Sequence, residues 1–216
     1  MNSTKIVVTA LLGFIINVAS AQNYNAGLGY ASDYFYRGAL KSEESVQASI
    51  GAQTELGGFN VSAGAFTNQA VNGGSDSYEL TLGAGKSLGD LLSVYGGLNH
   101  FEDVAGEALF EAKIGLSLDA LLSPNVNIYR SFDDDLYTFE LGVNHKFETD
   151  FADLCLHGSV GNTDLTEAID SDYYIVGATI SKGLSDSADL AVSVDRVDSD
   201  LIDEEWVFGV GVSTSF

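Results

Sequence analysis

Apolar side chains alternate with small or polar side chains along most of the chain after residue 22. Twelve runs show this period of two: 23–37, 46–57, 59–67, 77–86, 91–101, 108–118, 125–132, 136–147, 154–163, 173–182, 189–197 and 205–216. Because successive side chains on a strand point to opposite faces, each run predicts a strand with one apolar face and one polar face. Four runs, at 23–37, 59–67, 125–132 and 154–163, are weaker, so ten strands stand beside twelve as an alternative.

The connections between the runs alternate in kind. One set is tight, at 57–58, 87–90, 119–123, 148–153 and 183–188. The other set is generally more acidic or richer in glycine, at 38–45, 68–76, 102–107, 133–135, 164–172 and 198–204. This alternation is expected of a meander with its turns on one side of a membrane and its loops on the other. No linker interrupts the series, so we predict one domain over residues 22–216.

Two features indicate that the apolar face is turned outward, toward lipid. Glycine recurs on the polar face, where it weakens a strand, and its repeated use indicates a crowded concave wall. The aromatic residues gather at strand ends: Tyr34, Tyr36, Phe66, Phe101, Tyr137, Tyr174 and Trp206 at the loop ends, and Tyr24, Phe59, Phe147 and Phe216 at the turn ends. Two aromatic girdles are typical of membrane interfaces. We therefore predict an all-β fold, a closed antiparallel up-and-down transmembrane β-barrel, over a soluble sandwich.

The first 21 residues predict a cleaved secretory signal peptide. Lys5 precedes a mostly apolar stretch at 6–18, and Ala19-Ser20-Ala21 matches the small-residue cleavage pattern. We expect cleavage after Ala21 and an outer-membrane location. The formal net charge of −22 disfavours nucleic acid as a partner, and the single cysteine excludes an intramolecular disulfide framework.

The last strand carries a pattern that resembles the C-terminal assembly signal of outer-membrane barrels. Its apolar positions at spacing two include Trp206, Phe208, Val210, Val212 and Phe216. The resemblance implies recognition by the barrel-assembly machinery through strand addition. An amphipathic last strand that ends in phenylalanine for packing alone is the alternative.

The segment Ser32-Asp33-Tyr34-Phe35-Tyr36-Arg37-Gly38 resembles the S-D-Y-x-x-R-G signature in the first hairpin of the TorF-like porin family. Residues 63–68 and 78–80 agree more loosely, and the likeness covers about the first third of the chain. The chain lacks the Ser-Gln that usually follows Arg-Gly and the tryptophan often found in the third strand. The resemblance implies a porin-type outer-membrane barrel and says little about the solute.

With the aromatic face outward, ten ionisable residues are predicted to line the pore: Asp33, Arg37, Glu55, Glu79, Glu111, Lys113, Glu140, Lys146, Asp195 and Glu205. Twelve tilted strands give a backbone radius of about 12 Å, which leaves a narrow passage. Because acidic rings concentrate cations, we expect a porin-like channel for small ions or small polar solutes with a weak cation preference. A non-conducting structural barrel, with the lumen bases paired to lumen acids and acidic loops at the surface, is the alternative.

An outer-membrane lipid-modifying enzyme is the third hypothesis, and the sequence gives it little support. Cys155 and His157 share the inward face, but no Gly-x-Ser-x-Gly elbow is present and histidines are few. The acidic stretches, such as 133–135, lack the ordered spacing of a calcium loop, so we assign neither a metal site nor a cofactor. Expected partners are outer-membrane lipid, lipopolysaccharide and the small solutes themselves.

Overall fold

A computed structural model describes residues 23–104, 108–132, 136–166 and 169–216. The strands are β1 Asn23–Tyr36, β2 Ala39–Leu56, β3 Phe59–Gly74, β4 Ser77–Leu88, β5 Leu92–Asp103, β6 Ala108–Leu118, β7 Asn125–Ser131, β8 Tyr137–Phe147, β9 Asp153–Thr166, β10 Ile169–Ser185, β11 Ala188–Ser199 and β12 Ile202–Ser215. All twelve predicted runs fall on strands, which confirms twelve over ten. The predicted signal peptide and the acidic stretch at 133–135 lie outside the described residues.

The strands form one closed barrel in which each strand pairs antiparallel with its neighbours in sequence. The barrel closes where β1 pairs with β12, from Asn25 opposite Ser215 to Ala31 opposite Gly209. Backbone bonds between Tyr24 and Phe216 continue this seam to the chain end. Closure gives each strand a partner on both sides, as the hydrocarbon of a bilayer requires. In the described ranges, no helix is long and apolar enough to cross a membrane.

The burial pattern is inverted relative to a soluble protein. Leu28 and Ile50, on the outer face, are each 63% exposed. The largest fully buried side chains are instead polar and include Glu111, Asn68 and Ser42. An apolar exterior and a polar interior are expected of a barrel that is surrounded by lipid. The predicted outward direction of the apolar face is therefore confirmed.

The two ends of the barrel are named here by their connections. The turn side carries Asn23, Phe216 and the connections at 57–58, 89–91, 119–124, 148–152 and 186–187, and the loop side carries the other connections. On the loop side the predicted connections at 38–45 and 68–76 were wrong, because β2 begins at residue 39 and β3 continues to residue 74. Strand pairing needs only backbone groups, so it continues into segments whose side chains no longer alternate.

The β1–β2 hairpin departs from regular pairing near its loop-side end. The β1–β2 register shifts between Tyr34 and Phe35, and the β2–β3 register shifts between Ser42 and Glu43. Glu44 has a left-handed backbone, with a φ of 45°. Such irregularities bend and twist a strand pair. They turn the tip of this hairpin away from the wall and into the barrel.

Candidate functional site

The tip of the β1–β2 hairpin crosses the loop-side part of the lumen. The carbonyl of Gly38 accepts a hydrogen bond of 2.8 Å from the Ser199 hydroxyl on β11. A side chain at position 38 would lie 2.6 Å from Cβ of Tyr173 on β10. From this position the side chain of Arg37 reaches the opposite wall, where it meets β6, β7 and β8. The hairpin therefore spans the lumen and constricts it.

Arg37 is held in a cage of two aromatic rings, a carboxylate and a hydroxyl. Its guanidinium donates to Oε1 of Glu111 on β6 and to the Thr138 hydroxyl on β8, at 3.3 Å. The guanidinium carbon lies 4.0 Å from the centre of the Tyr129 ring and 4.9 Å from that of Tyr36. We call Tyr36, Glu111, Tyr129 and Thr138 the Arg37 cage. A cation over a ring face is attracted by the ring quadrupole, more strongly in a desolvated site.

Glu111 is the acid of the cage, and its side chain is almost fully buried. Its side chain is 1% exposed, against 14% for Arg37. Besides Arg37, its Oε1 atom accepts from Asn99 at 3.0 Å and from the Tyr36 hydroxyl at 3.4 Å. Its Oε2 atom is buried and has no hydrogen-bond partner among the described residues. One oxygen of this buried carboxylate thus takes three donors and the other takes none.

A second cation lies next to the cage, on its turn side. The ammonium of Lys113 is 5.1 Å from the Tyr129 ring and 5.3 Å from the Tyr95 ring. Glu140 interacts electrostatically with Lys113, and its two carboxylate oxygens accept from Asn127 and Tyr173, at 3.2 and 2.9 Å. Two protein cations therefore follow one another along a series of tyrosine rings.

Four aromatic residues predicted for the loop-side membrane girdle lie in the lumen instead. Tyr34 packs on Phe66, with ring centres 5.6 Å apart, and Tyr36 stacks on Phe101 at 4.8 Å. Phe66 and Phe101 both lie opposite Glu79 in the strand pairing, and Phe101 is buried. The prediction was wrong for Tyr34 and Tyr36 because they belong to the part of the β1–β2 hairpin that folds into the lumen. Phe66 was assigned to the wrong face. It lies two residues from Gly64 on the same strand, so both positions face the lumen.

The lumen is open on the turn side of the cage. A cavity of about 510 Å³ extends from Tyr36 and Arg37 to Gln53 and Asn60 near the turn-side end. A second cavity of about 510 Å³ is lined by Lys113, Tyr95 and six asparagine or serine side chains among others. Both are large enough for several water molecules or a small solute. The constriction is confined to the level of the hairpin tip.

A histidine–aspartate contact lies on the lumen wall across β9, β10 and β11. Nε2 of His157 is 2.6 Å from Oδ1 of Asp195. The residue between them in the strand pairing is Gly177, whose missing side chain leaves room for the contact. The sequence placed Cys155 and His157 on the inward face and Asp195 among the pore-lining residues, and it predicted no contact between His157 and Asp195. The glycine on the intervening strand is the signal that could have found this pair.

The other predicted pore residues are not brought together. Lys146 binds Glu148 and Asp153, at 3.0 and 2.8 Å, at the turn-side rim. Glu55 and Glu205 are exposed, near the turn-side and loop-side ends respectively. Asp33 accepts a hydrogen bond of 2.8 Å from Ser32 beside the register shift of β1. The residues brought together at the constriction are Arg37, Glu111, Lys113 and Glu140, with Glu79 nearby.

The residues of the predicted assembly signal lie on the outer surface of β12. Trp206, Phe208, Val210, Val212 and Phe216 are all exposed. The ring of Phe216 stacks on Tyr24 across the seam, with centres 5.9 Å apart. Beside Trp206, Arg196 and Glu204 form an ion pair on the outer face near the loop-side end.

Comparison with solved structures gives the same architecture. A KdgM porin matches with a TM-score of 0.61 and 13% identity over 89% of this chain and 99% of that one. The chain has a porin-like outer-membrane barrel fold. A NanC porin (TM-score 0.59, 11% identity, 88% and 98% covered) and an outer-membrane channel from Pseudomonas putida F1 (0.60, 10%, 90% and 95%) are also similar. No family profile and no curated protein matches the chain, so the TorF-like resemblance is unconfirmed.

Proposed function

We propose that the protein is a narrow channel for the passive diffusion of small ions and small polar solutes, with a weak cation preference. The observation that carries the proposal is the cavity that begins at Tyr36 and Arg37 and extends to Gln53 and Asn60 near the turn-side end. Glu79, Glu111 and Glu140 outnumber Arg37 and Lys113 around it. A lumen with an excess of acid concentrates cations and repels anions.

The charge of the lumen argues against large anionic solutes. A KdgM porin of similar fold has been solved in complex with oligogalacturonate, a polyanion. In this chain the two lumen bases at the constriction are already engaged, Arg37 by Glu111 and the tyrosines, and Lys113 by Tyr95 and Tyr129. Few cationic groups at the constriction are thus left to bind a polyanionic solute. Small cations and neutral solutes fit the lumen better.

The crossing hairpin favours a second candidate function, a closed barrel without conduction. Arg37 is bound on the far wall, and two aromatic pairs lie on the loop side of the cavity. If these contacts persist in the membrane, the barrel presents a stable wall and no pathway. The same contacts in a dynamic hairpin give a channel that opens when Arg37 leaves its cage.

Planar-bilayer recording with the purified full-length barrel separates the two. We expect small unitary currents, with a reversal potential under a KCl gradient that is displaced toward the potassium equilibrium potential. A membrane that stays silent after confirmed insertion would exclude the channel and leave the closed barrel. A clear chloride preference would overturn the assigned role of the lumen acids.

A further inference from the structure

We infer that the Arg37 cage is a binding site for a small guanidinium cation, and that Arg37 occupies it as a tethered ligand. The inference builds on the proposed channel and specifies its solute class. It rests on the geometry of the cage, on the unsatisfied oxygen of Glu111 and on the charge around them.

The cage has the features that a guanidinium receptor needs. A planar cation lies 4.0 and 4.9 Å from the centres of two tyrosine rings, while a carboxylate and a hydroxyl accept its N–H groups. Arginine guanidinium groups stack on aromatic faces and pair with carboxylates in this way. Thr138 is itself buried and fixed by a 2.6 Å bond to Thr163. The receptor is therefore built into the barrel wall, apart from Tyr36.

The tethered ligand does not satisfy this receptor. A guanidinium pairs best with a carboxylate through two parallel N–H···O bonds. Arg37 directs one nitrogen to Oε1 of Glu111 and the other to Thr138, which leaves Oε2 buried without a partner among the described side chains. An untethered guanidinium is free of the hairpin backbone and can take the two-bond arrangement. A buried unpaired oxygen of an acid favours such a ligand.

The surrounding charge favours the exchange. Lys113 interacts electrostatically with Glu79, Glu111 and Glu140. When Arg37 withdraws, Lys113 is the one base of these five residues that remains beside the three carboxylates. The vacated cage is then net negative and attracts a replacement cation. On the cavity side, Lys113 lies near the rings of both Tyr129 and Tyr95. The tyrosine next to the cage, Tyr95, therefore also contacts a cation.

A solute that occupies the cage displaces Arg37 and so removes one of the contacts that fix the hairpin tip. Arg37 and the Gly38–Ser199 bond link the hairpin tip to the walls. A guanidinium solute competes with Arg37 for one place, so solute binding and latching of the hairpin exclude each other. The apparent affinity in the native protein is reduced by the fraction of time for which Arg37 fills the cage.

Methylguanidinium, the free analogue of the arginine head group, is the probe. Calorimetric titration of the detergent-solubilised full chain is expected to show saturable binding at millimolar concentration or tighter. Arg37→Met, which keeps an unbranched side chain, should tighten binding about tenfold by removing the competitor. Glu111→Gln should abolish it, and Tyr129→Leu should weaken it more than Tyr129→Phe, which keeps the ring.

Matched controls lie on the outer face. Arg196 and Glu204 form an ion pair there without a ring cage, so Arg196→Met and Glu204→Gln should leave methylguanidinium binding unchanged. Methylammonium, which lacks the planar fork, should bind more weakly. Heat-dependent gel mobility checks that each variant forms a barrel, and the Tyr129 and control variants keep the test valid if a charge variant does not fold.

The outcomes separate this site from the channel. Saturable, Glu111-dependent binding in a protein that shows no current would sink the channel and leave the site. Current without such binding, or equal binding by the native protein, Arg37→Met and Glu111→Gln, would overturn the site and leave the channel. Tighter binding by Arg37→Met together with a methylguanidinium-dependent change in current would support both.

Discussion

The loop-side and turn-side halves of the lumen are built on the same twelve strands and differ in what fills them. The loop-side half contains a hairpin tip, two aromatic pairs and a buried ion pair that joins opposite walls. The turn-side half is lined by short polar side chains and retains open cavities. The number of strands therefore does not by itself set the width of the lumen. On the loop side the inward β1–β2 hairpin sets it.

The difference also separates two uses of charge. At the constriction, Arg37 and Glu111 form a buried pair whose members cannot be removed singly without leaving an uncompensated charge. At the turn-side rim, Lys146 and its two acids are exposed to solvent and contribute little to stability. The buried pair holds the hairpin tip across the lumen. In the proposed channel, the rim charges would act mainly on entering ions.

The largest effect on this difference is expected when the hairpin tip is forced away from β10 and β11. Gly38→Val places a branched side chain against Tyr173 and Ser199, where Cβ alone would be 2.6 and 3.0 Å from side-chain carbons. We expect the hairpin tip to leave the wall and the unitary conductance to rise about threefold or more, since the constriction is lost. Single-channel recording measures this.

Gly57→Val is the matched control for this substitution. Gly57 also lies in a two-residue turn with a left-handed backbone (φ 60°, against 77° for Gly38), but nothing lies within 4 Å of its added Cβ. Both variants carry the same kind of backbone strain, and only Gly38→Val meets the lumen wall. Equal conductance in the two variants would show that the hairpin tip does not limit the current.

The wall of the barrel could be predicted from sequence because its cause is local. Alternation along 137–147 or 205–216 records which side chains meet lipid, and every run with this pattern is a strand. The strand ends were missed at 39–45 and 68–74, where pairing continues without an apolar face. In those segments the stabilising contact is the neighbouring backbone, which leaves no periodic trace in the sequence.

The constriction could not be predicted because its cause is not local. Arg37 and Glu111 were each predicted to line the pore, but they are 74 residues apart and the sequence pattern does not predict their contact. Tyr34 and Tyr36 lie in the inward-folded part of the hairpin, beside a register shift that alternation along β1 does not reveal. Phe66 and Phe101 were instead assigned to the wrong face of regular strands.

The acids of the constriction should set ion selectivity. Glu140→Gln keeps most of the hydrogen-bonding capacity toward Asn127 and Tyr173 and removes one negative charge from the lumen. We expect the cation-to-anion permeability ratio to fall about twofold while conductance changes little. The reversal potential under a KCl gradient measures the ratio. Glu204→Gln, on the outer face, should not change it, and a shift as large as that of Glu140→Gln would assign selectivity to surface charge.

A smaller effect is expected on the wall beside the cavities. Gly177→Ala would place Cβ 2.7 Å from the Val194 carbonyl and against the Asp195 carboxylate, so the His157–Asp195 contact must shift. Overpacking of this kind costs about 1–3 kcal/mol. The midpoint of urea unfolding, followed by the heat-modified gel band, should fall. Gly158→Ala, whose Cβ meets only contacts of 3.4 Å or more, should keep the native midpoint, and equal losses in both would remove the special role of Gly177.

The smallest effect tests whether the turn-side half is open while the hairpin is latched. Cys155 is half-buried on the turn-side wall, at the same level as Lys146 and Thr179 in the pairing, and it is the single cysteine of the chain. A cationic methanethiosulfonate reagent added on the turn side should label it in the native barrel. We expect labelling rates within about twofold of each other in the native protein and Arg37→Met, because access from this side does not pass the cage. Mass spectrometry at timed intervals measures the rate. Slow labelling in the native barrel that becomes fast in Arg37→Met would mean that the latch also closes the turn-side half, and the two halves would then form a single gate.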